Sequence, residues 1–185
     1  AELKDPLSDL YGGLANLSPY APDSAQAGRR ALRNTALGLL SRLDGGTLAR
    51  AQFDAADNMT DRQGALTTLA SSLSDKRVAA LDIFYQRYRD NALVLDKWFS
   101  TQALSTRDDT LDLVLELARH RDFTLANPNR ARALVGAFGV NQRAFHVADG
   151  RGYRFVADQL LALDKLNPQT AAKLLPPLGR WRRFD

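Results

Sequence analysis

The sequence of 185 residues contains no cysteine, only two histidines and a single methionine. Without cysteine there can be no disulfide bond, no thiolate nucleophile and no cysteine-based zinc site. Valine and isoleucine are also scarce, because together they number 8 against 59 for leucine and alanine. Leucine and alanine favour helices, whereas valine and isoleucine favour strands, so the composition predicts an all-helical protein.

Long apolar runs and a one-sided charge are missing as well. No stretch reaches the roughly 18 apolar residues that a membrane-spanning helix requires. The first residues do not combine a basic stretch with an apolar core, as a signal peptide does. The 25 basic and 21 acidic residues alternate along the chain, as they do on solvated helix faces. We therefore expect neither a membrane nor a nucleic acid as a partner. The lack of cysteine fits a reducing compartment, and we expect a cytoplasmic protein.

Apolar residues recur at three- and four-residue steps along most of the chain, in segments bounded by capping and turn residues. Residues 1–23 hold a short apolar piece followed by Ser18-Pro19-Tyr20-Ala21-Pro22, and they predict a linker with a short helical turn. Residues 24–185 predict a single helical-repeat domain. Helix starts are predicted at Asp23 or Ser24, at a Thr60–Gln63 capping box, and at the two Asn-Pro pairs beginning at Asn127 and Asn167.

The two Asn-Pro starts lie 40 residues apart, which is close to the period of HEAT and armadillo repeats. Short connections between helices favour antiparallel neighbours. The predicted fold is therefore all-α, with stacked antiparallel helical hairpins that form a curved HEAT/armadillo-like superhelix.

No group of residues forms a recognisable catalytic site. His120 and His146 stand alone, outside any HExxH motif, and no serine lies in a G-x-S-x-G turn. We predict that His120 complements the negative end of a helix, and that His146 is a hydrogen-bonded structural residue. Catalytic residues and metal ligands are both predicted to be absent from this chain.

Two aromatic segments each allow two interpretations. The first could be a ligand cage or part of the core, and we favour the core; it comprises Phe84, Tyr85, Tyr88, Trp98 and Phe99. The second segment, residues 180–184, could be a basic strip for nucleic acid or a last amphipathic turn that docks on a neighbouring element. We favour docking.

Several short motifs occur in the order found in one known family. They are Asn58-Met59-Thr60-Asp61-Arg62, Asp96-Lys97-Trp98-Phe99, Asn127-Pro128-Asn129-Arg130, Phe145-His146 and Asn167-Pro168-Gln169. Taken together, they resemble the C-terminal helical domain of bacterial aminopeptidase N, a zinc-dependent alanyl aminopeptidase of the gluzincin class.

The resemblance implies that zinc, its ligands and the general base belong to an upstream catalytic domain of the same polypeptide. That domain and the peptide substrate are then the partners of this chain. The chain itself would be an inactive, non-catalytic domain that covers the active-site chamber and controls the access of substrate. Positions matching Arg132, Gln169 and Lys173 are implied to line the chamber. The alternative is a free-standing helical-repeat scaffold that binds a protein partner on its concave face.

Overall fold

The computed structural model describes residues 2–15 and 18–184, and this part of the chain contains helices but no strand. The all-helical prediction is therefore confirmed. The helices, in chain order, are α1 (Lys4–Gly13), α2 (Ser24–Asp44), α3 (Thr47–Ala55), α4 (Met59–Ala70), α5 (Lys76–Tyr88), α6 (Ala92–Ala103), α7 (Thr110–Leu117), α8 (Pro128–Ala131), a π-helix (Arg132–Gly136), α9 (Ala137–Gly139), α10 (Gln142–Phe145), α11 (Arg151–Asp164), α12 (Pro168–Leu174) and a 3₁₀ helix (Pro176–Arg183).

The chain divides into two compact units, Ala1–Phe84 and Tyr85–Asp185. None of the helices in the described residues is both long enough and apolar enough to cross a bilayer. The single domain predicted over residues 24–185 stays a prediction.

In the first unit, α2 contacts α1, α3 and α4, and α3 packs along α4. Its buried apolar residues include Leu37, Ala49, Phe53, Leu66 and Leu69. Two glycines with positive φ, Gly45 at 62° and Gly46 at 78°, end α2 and allow α3 to start at once.

A polar cluster fastens α1 to this unit. The Tyr11 hydroxyl donates to Gln52 Oε1 at 2.9 Å, and Arg33 Nη2 donates to the Tyr11 oxygen at 3.1 Å. The Arg33 guanidinium also lies over the Tyr11 ring, 4.4 Å from its centroid. The sequence predicts one helical turn before residue 24, and the structure has a ten-residue helix there.

The start of α4 differs from its prediction. Asn58, not Thr60, is the N-cap, and its side chain accepts the backbone N–H of Asp61 at 2.9 Å. The Asp61 carboxylate in turn accepts from Asn58 Nδ2 at 3.0 Å and from Asn34 Nδ2 at 3.1 Å. Asparagine caps helices at least as well as threonine, and this pairing starts the helix one residue before Thr60. The predicted Thr60–Gln63 capping box is therefore wrong.

In the second unit, α6 packs against α7, α8, the π-helix and α9, while α11 packs against α10 and α12. The larger buried residues of this unit include Phe99, Val114, Leu134, Phe138, Phe145 and Leu163. Of the aromatic segment, Phe84, Trp98 and Phe99 are buried, whereas Tyr85 and Tyr88 are partly exposed. The core interpretation is confirmed for the three buried rings.

The 3₁₀ helix at residues 176–183 leads to Phe184, whose ring stacks on His146 with centroids 3.5 Å apart and planes inclined by 12°. Arg182 lies over the Trp181 ring, 5.2 Å from its centroid. The last segment therefore docks on a neighbouring element of the same unit, in agreement with the favoured interpretation.

Candidate functional site

Both Asn-Pro pairs begin helices in the predicted way. Asn127 Oδ1 accepts the backbone N–H groups of Asn129 at 2.9 Å and Arg130 at 3.3 Å. Asn167 Oδ1 accepts the N–H of Thr170 at 2.9 Å. The proline that follows each asparagine occupies the first turn, where its missing N–H would have no partner within the helix. These two starts fix the beginnings of α8 and α12, the elements that lead to the predicted site residues.

The three predicted site residues are all exposed and lie on two elements that touch. Arg132 is the first residue of the π-helix, and its Nη1 donates to Asn129 Oδ1 at 2.9 Å. Gln169 and Lys173 lie four residues apart on α12 and so share one face of it. The α12 helix contacts the π-helix. That the three side chains share a single surface stays a prediction.

Gly136 permits the close approach of the π-helix to α12, and Gly139 permits that of α9 to the 3₁₀ helix. A Cβ atom on Gly136 would lie 2.9 Å from Leu174 Cδ2, and one on Gly139 would lie 3.2 Å from Pro177 Cγ. Leu174 also packs with Leu125 against the buried residues Ala131, Leu163 and Ala171. The helix that carries Arg132 therefore lies directly against the helix that carries Gln169 and Lys173.

A buried ion pair connects α8, the short helix just before the π-helix, to α6. Arg130 Nε donates to Asp96 Oδ1 on α6, and the two side chains are 6% and 14% exposed. Arg130 Nη1 donates to the carbonyl oxygen of Asp122, and the guanidinium lies 4.9 Å from the centroid of the Phe99 ring. The motifs that hold Asp96 and Arg130 are recognisable in the sequence, but their pairing is not, because no local spacing rule connects residues 34 positions apart.

His120 is a member of an aromatic cluster. Its ring lies 5.3 Å from those of Tyr85 and Trp98, and its Nδ1 accepts the N–H of Asp122 at 3.2 Å. Burial lowers the pKa of His120 and outweighs the opposite effect of the Asp122 carboxylate. That carboxylate accepts instead from the Tyr85 hydroxyl at 2.5 Å, which raises the pKa of Tyr85. The α7 helix ends at Leu117, so His120 lies beyond the last helical turn in which the sequence predicts it.

His146 is a hydrogen-bonded structural residue, as predicted. Its Nδ1 pairs with the Tyr153 hydroxyl, and its ring contacts those of Phe145 and Phe184. Burial lowers the pKa of His146, and Arg180 lowers it further. Over residues 2–15 and 18–184, no three histidine, aspartate or glutamate side chains come together as possible metal ligands. The described residues thus do not fit a zinc site.

Comparison with known proteins agrees with this architecture. A family model described as a domain of unknown function (DUF3458_C) with ARM repeats matches residues 1–185. Aminopeptidase N of Caulobacter vibrioides is 44% identical over 186 residues, covering 98% of this chain and 22% of that protein. Aminopeptidase N of Escherichia coli is 40% identical over 189 residues, covering 100% of this chain and 22% of that protein.

A solved structure gives the same result in three dimensions. The crystal structure of Legionella pneumophila aminopeptidase A in complex with aspartic acid superposes with a TM-score of 0.89 and 33% identity, covering 100% of this chain and 23% of that one. The chain is thus an all-helical repeat domain of the ARM class. It belongs to the DUF3458_C family, and its resemblance to aminopeptidase N is confirmed. It spans about a fifth of the length of these relatives.

Proposed function

We propose that this chain is the non-catalytic C-terminal domain of a cytoplasmic zinc aminopeptidase, and that it covers the active-site chamber and controls the entry of peptides. The observation that carries the proposal is the match to aminopeptidase N, which extends over 98% and 100% of this chain at 44% and 40% identity. Identity of this degree along the whole chain supports the proposal that the chain has the same role in its parent protein as the matching segment has in aminopeptidase N.

Zinc and the residues that activate water belong, in this proposal, to the rest of the polypeptide. The described residues bring no metal-ligand set together, so we derive no chemical step in this chain. Its contribution is enclosure. Excluding water from a chamber lowers the effective dielectric constant and strengthens the contacts that hold a charged substrate.

Arg132, Gln169 and Lys173 are the residues proposed to meet the substrate. They are exposed, they lie on two helices in contact, and they supply two cations and one amide. A peptide presents a carboxylate and carbonyl oxygens, which such donors bind. Arg132 can form a bidentate pair with a carboxylate, whereas Lys173 offers only a point charge.

The test uses the full-length enzyme with Arg132→Ala and Lys173→Ala combined. We expect kcat/KM for a tripeptide to fall about tenfold, which is about 1.4 kcal/mol. Alanine p-nitroanilide, which lacks the peptide's carboxyl end, should change little.

The matched control combines Arg119→Ala with Lys165→Ala. These two exposed residues also belong to the second unit, and the control makes the same change in net charge. It should leave both substrates unaffected. Equal kinetics for the site variant and the unmodified enzyme on both substrates would refute the proposed role of Arg132 and Lys173.

A further inference from the structure

Arg130 is an almost fully buried cation that ties three segments of the second unit together. It is 5% exposed, and its guanidinium meets the Asp96 carboxylate on α6, the Asp122 carbonyl oxygen and the face of the Phe99 ring. Buried charges are costly, and a well-packed apolar pair often gives equal or greater stability. The pair therefore calls for a reason other than stability. A guanidinium differs from an apolar side chain in that its planar fork fixes the direction of each contact.

Arg130 lies two residues before Arg132 in the chain. Arg130 belongs to the four-residue helix α8, and Arg132 begins the π-helix directly after it. Within this turn the Asn127 side chain holds the N–H groups of Asn129 and Arg130, and Asn129 Oδ1 accepts from Arg132 Nη1. One end of this series is thus a buried carboxylate on α6, and the other end is the exposed guanidinium of Arg132.

The backbone at Arg132 is unusual as well. Residues 132–136 form a π-helix between two short α-helical segments, and α6 packs against it. Turns of π-helix are rare and frequently occur at functional sites, where they change the direction of a side chain relative to a regular helix. A rigid support below such a turn would keep the direction of Arg132 constant.

From these contacts we propose that Asp96 and Arg130, acting through Asn129, are positioning residues that orient Arg132 toward the carboxylate of the peptide substrate. The inference rests on the proposed function of Arg132. Asp96 and Arg130 do not themselves meet the substrate. If they position Arg132, replacing them lowers peptide turnover only while the Arg132 side chain is present. If their role is purely structural, replacing them lowers turnover whether or not that side chain is present.

A double-mutant cycle in the full-length enzyme separates these roles. Asp96→Asn keeps the shape of the side chain and removes its charge, and Arg130→Lys keeps the charge and removes the fork. Each is made with Arg132 present and with Arg132→Ala. With Arg132 present, we expect kcat/KM for the tripeptide to fall about fivefold while that for alanine p-nitroanilide changes less than twofold. In the Arg132→Ala background the same substitutions should cause no further loss for the tripeptide.

Because changes at a buried pair can prevent folding, Asn129→Ala provides a third variant. Asn129 is exposed, and its side chain is the last contact before Arg132. We expect the same selective loss for the tripeptide, again absent in the Arg132→Ala background.

Three outcomes would overturn the inference. Losses of equal size with and without Arg132 would show that the residues do not act through it. Equal losses for both substrates would show a general structural role. A single Arg132→Ala variant with unchanged tripeptide kinetics would remove the proposed role of Arg132 and the inference together. If Arg132→Ala lowers tripeptide turnover and the losses are additive, only the inference fails.

Discussion

Among the glycines, Gly152 has the least room for a side chain. A Cβ atom built there would lie 2.2 Å from the carbonyl oxygen of Phe145, which is far inside van der Waals contact. The obstacle is backbone, so it cannot swing away as the end of a side chain can. The close approach of α11 to the end of α10 therefore requires glycine at this position.

Replacing Gly152 by alanine should accordingly destabilise the protein by about 3 kcal/mol, the upper end of the usual range for overpacking. Urea unfolding followed by circular dichroism measures the change. Gly28→Ala is the matched control, because Gly28 lies inside α2 and nothing is within 4 Å of its would-be Cβ. That control should stabilise the protein by roughly 0.5–1 kcal/mol, since alanine is the better helix former. Similar free energies of unfolding for the two variants would contradict the argument.

The sequence alone predicts the structural roles of some residues but not of others. Asn127 and Asn167 were predictable as caps because each is followed by proline, and this local signal needs no tertiary information. At α4 two capping residues, Asn58 and Thr60, lie close together, and the choice depends on the Asp61 carboxylate and its partner Asn34 on another helix. The Asp96–Arg130 pair depends entirely on the fold, so no sequence pattern predicts it.

Among the elements, α1 is joined by polar contacts to two other helices. None of its residues is fully buried, and the Tyr11 hydroxyl bonds both Gln52 on α3 and Arg33 on α2. Burial raises the pKa of this hydroxyl, so it stays protonated and able to donate near neutral pH. A single phenol therefore connects α1 to two other helices.

Tyr11→Phe should cost about 1–2 kcal/mol, because it leaves the Gln52 and Arg33 groups without this partner. We also expect faster amide hydrogen exchange across Lys4–Gly13, since α1 would detach more often than the whole unit unfolds. Tyr20→Phe serves as the control, because Tyr20 is 51% exposed. Unchanged exchange in α1 of the Tyr11→Phe variant would show that other contacts hold this helix.

The lack of fully buried residues in α1 also explains why the sequence predicts only one helical turn there. A hydrophobic pattern signals a helix through the face it buries, and α1 buries no residue fully. The π-helix escaped prediction for a different reason. Its residues, Arg132 to Gly136, read as ordinary helix formers ending in glycine, while the contact of Leu174 with Gly136 is tertiary. Local pattern predicted which segments are helical, but not how the backbone adjusts where two helices meet.

At the scale of the whole molecule, the composition and the relatives lead to the same conclusion about activity. The chain has two histidines, and in the described part neither one lies with two other potential ligands. His120 is enclosed by aromatic rings and His146 is hydrogen-bonded to Tyr153, so both imidazoles already have structural roles. The relatives, by contrast, are aminopeptidases about five times as long as the aligned segment, which covers 22% of each.

The 185-residue chain should therefore hydrolyse no alanine p-nitroanilide, even with zinc added, and should bind no stoichiometric zinc by elemental analysis. The reason is that a catalytic zinc site needs three protein ligands and a general base, which this chain does not bring together in its described residues. The full-length protein, assayed in parallel, should be active and lose its activity to a chelator. Turnover by the isolated chain that survives further purification and disappears with a chelator would refute the prediction. An inactive full-length protein would instead favour the helical-repeat scaffold over the aminopeptidase domain.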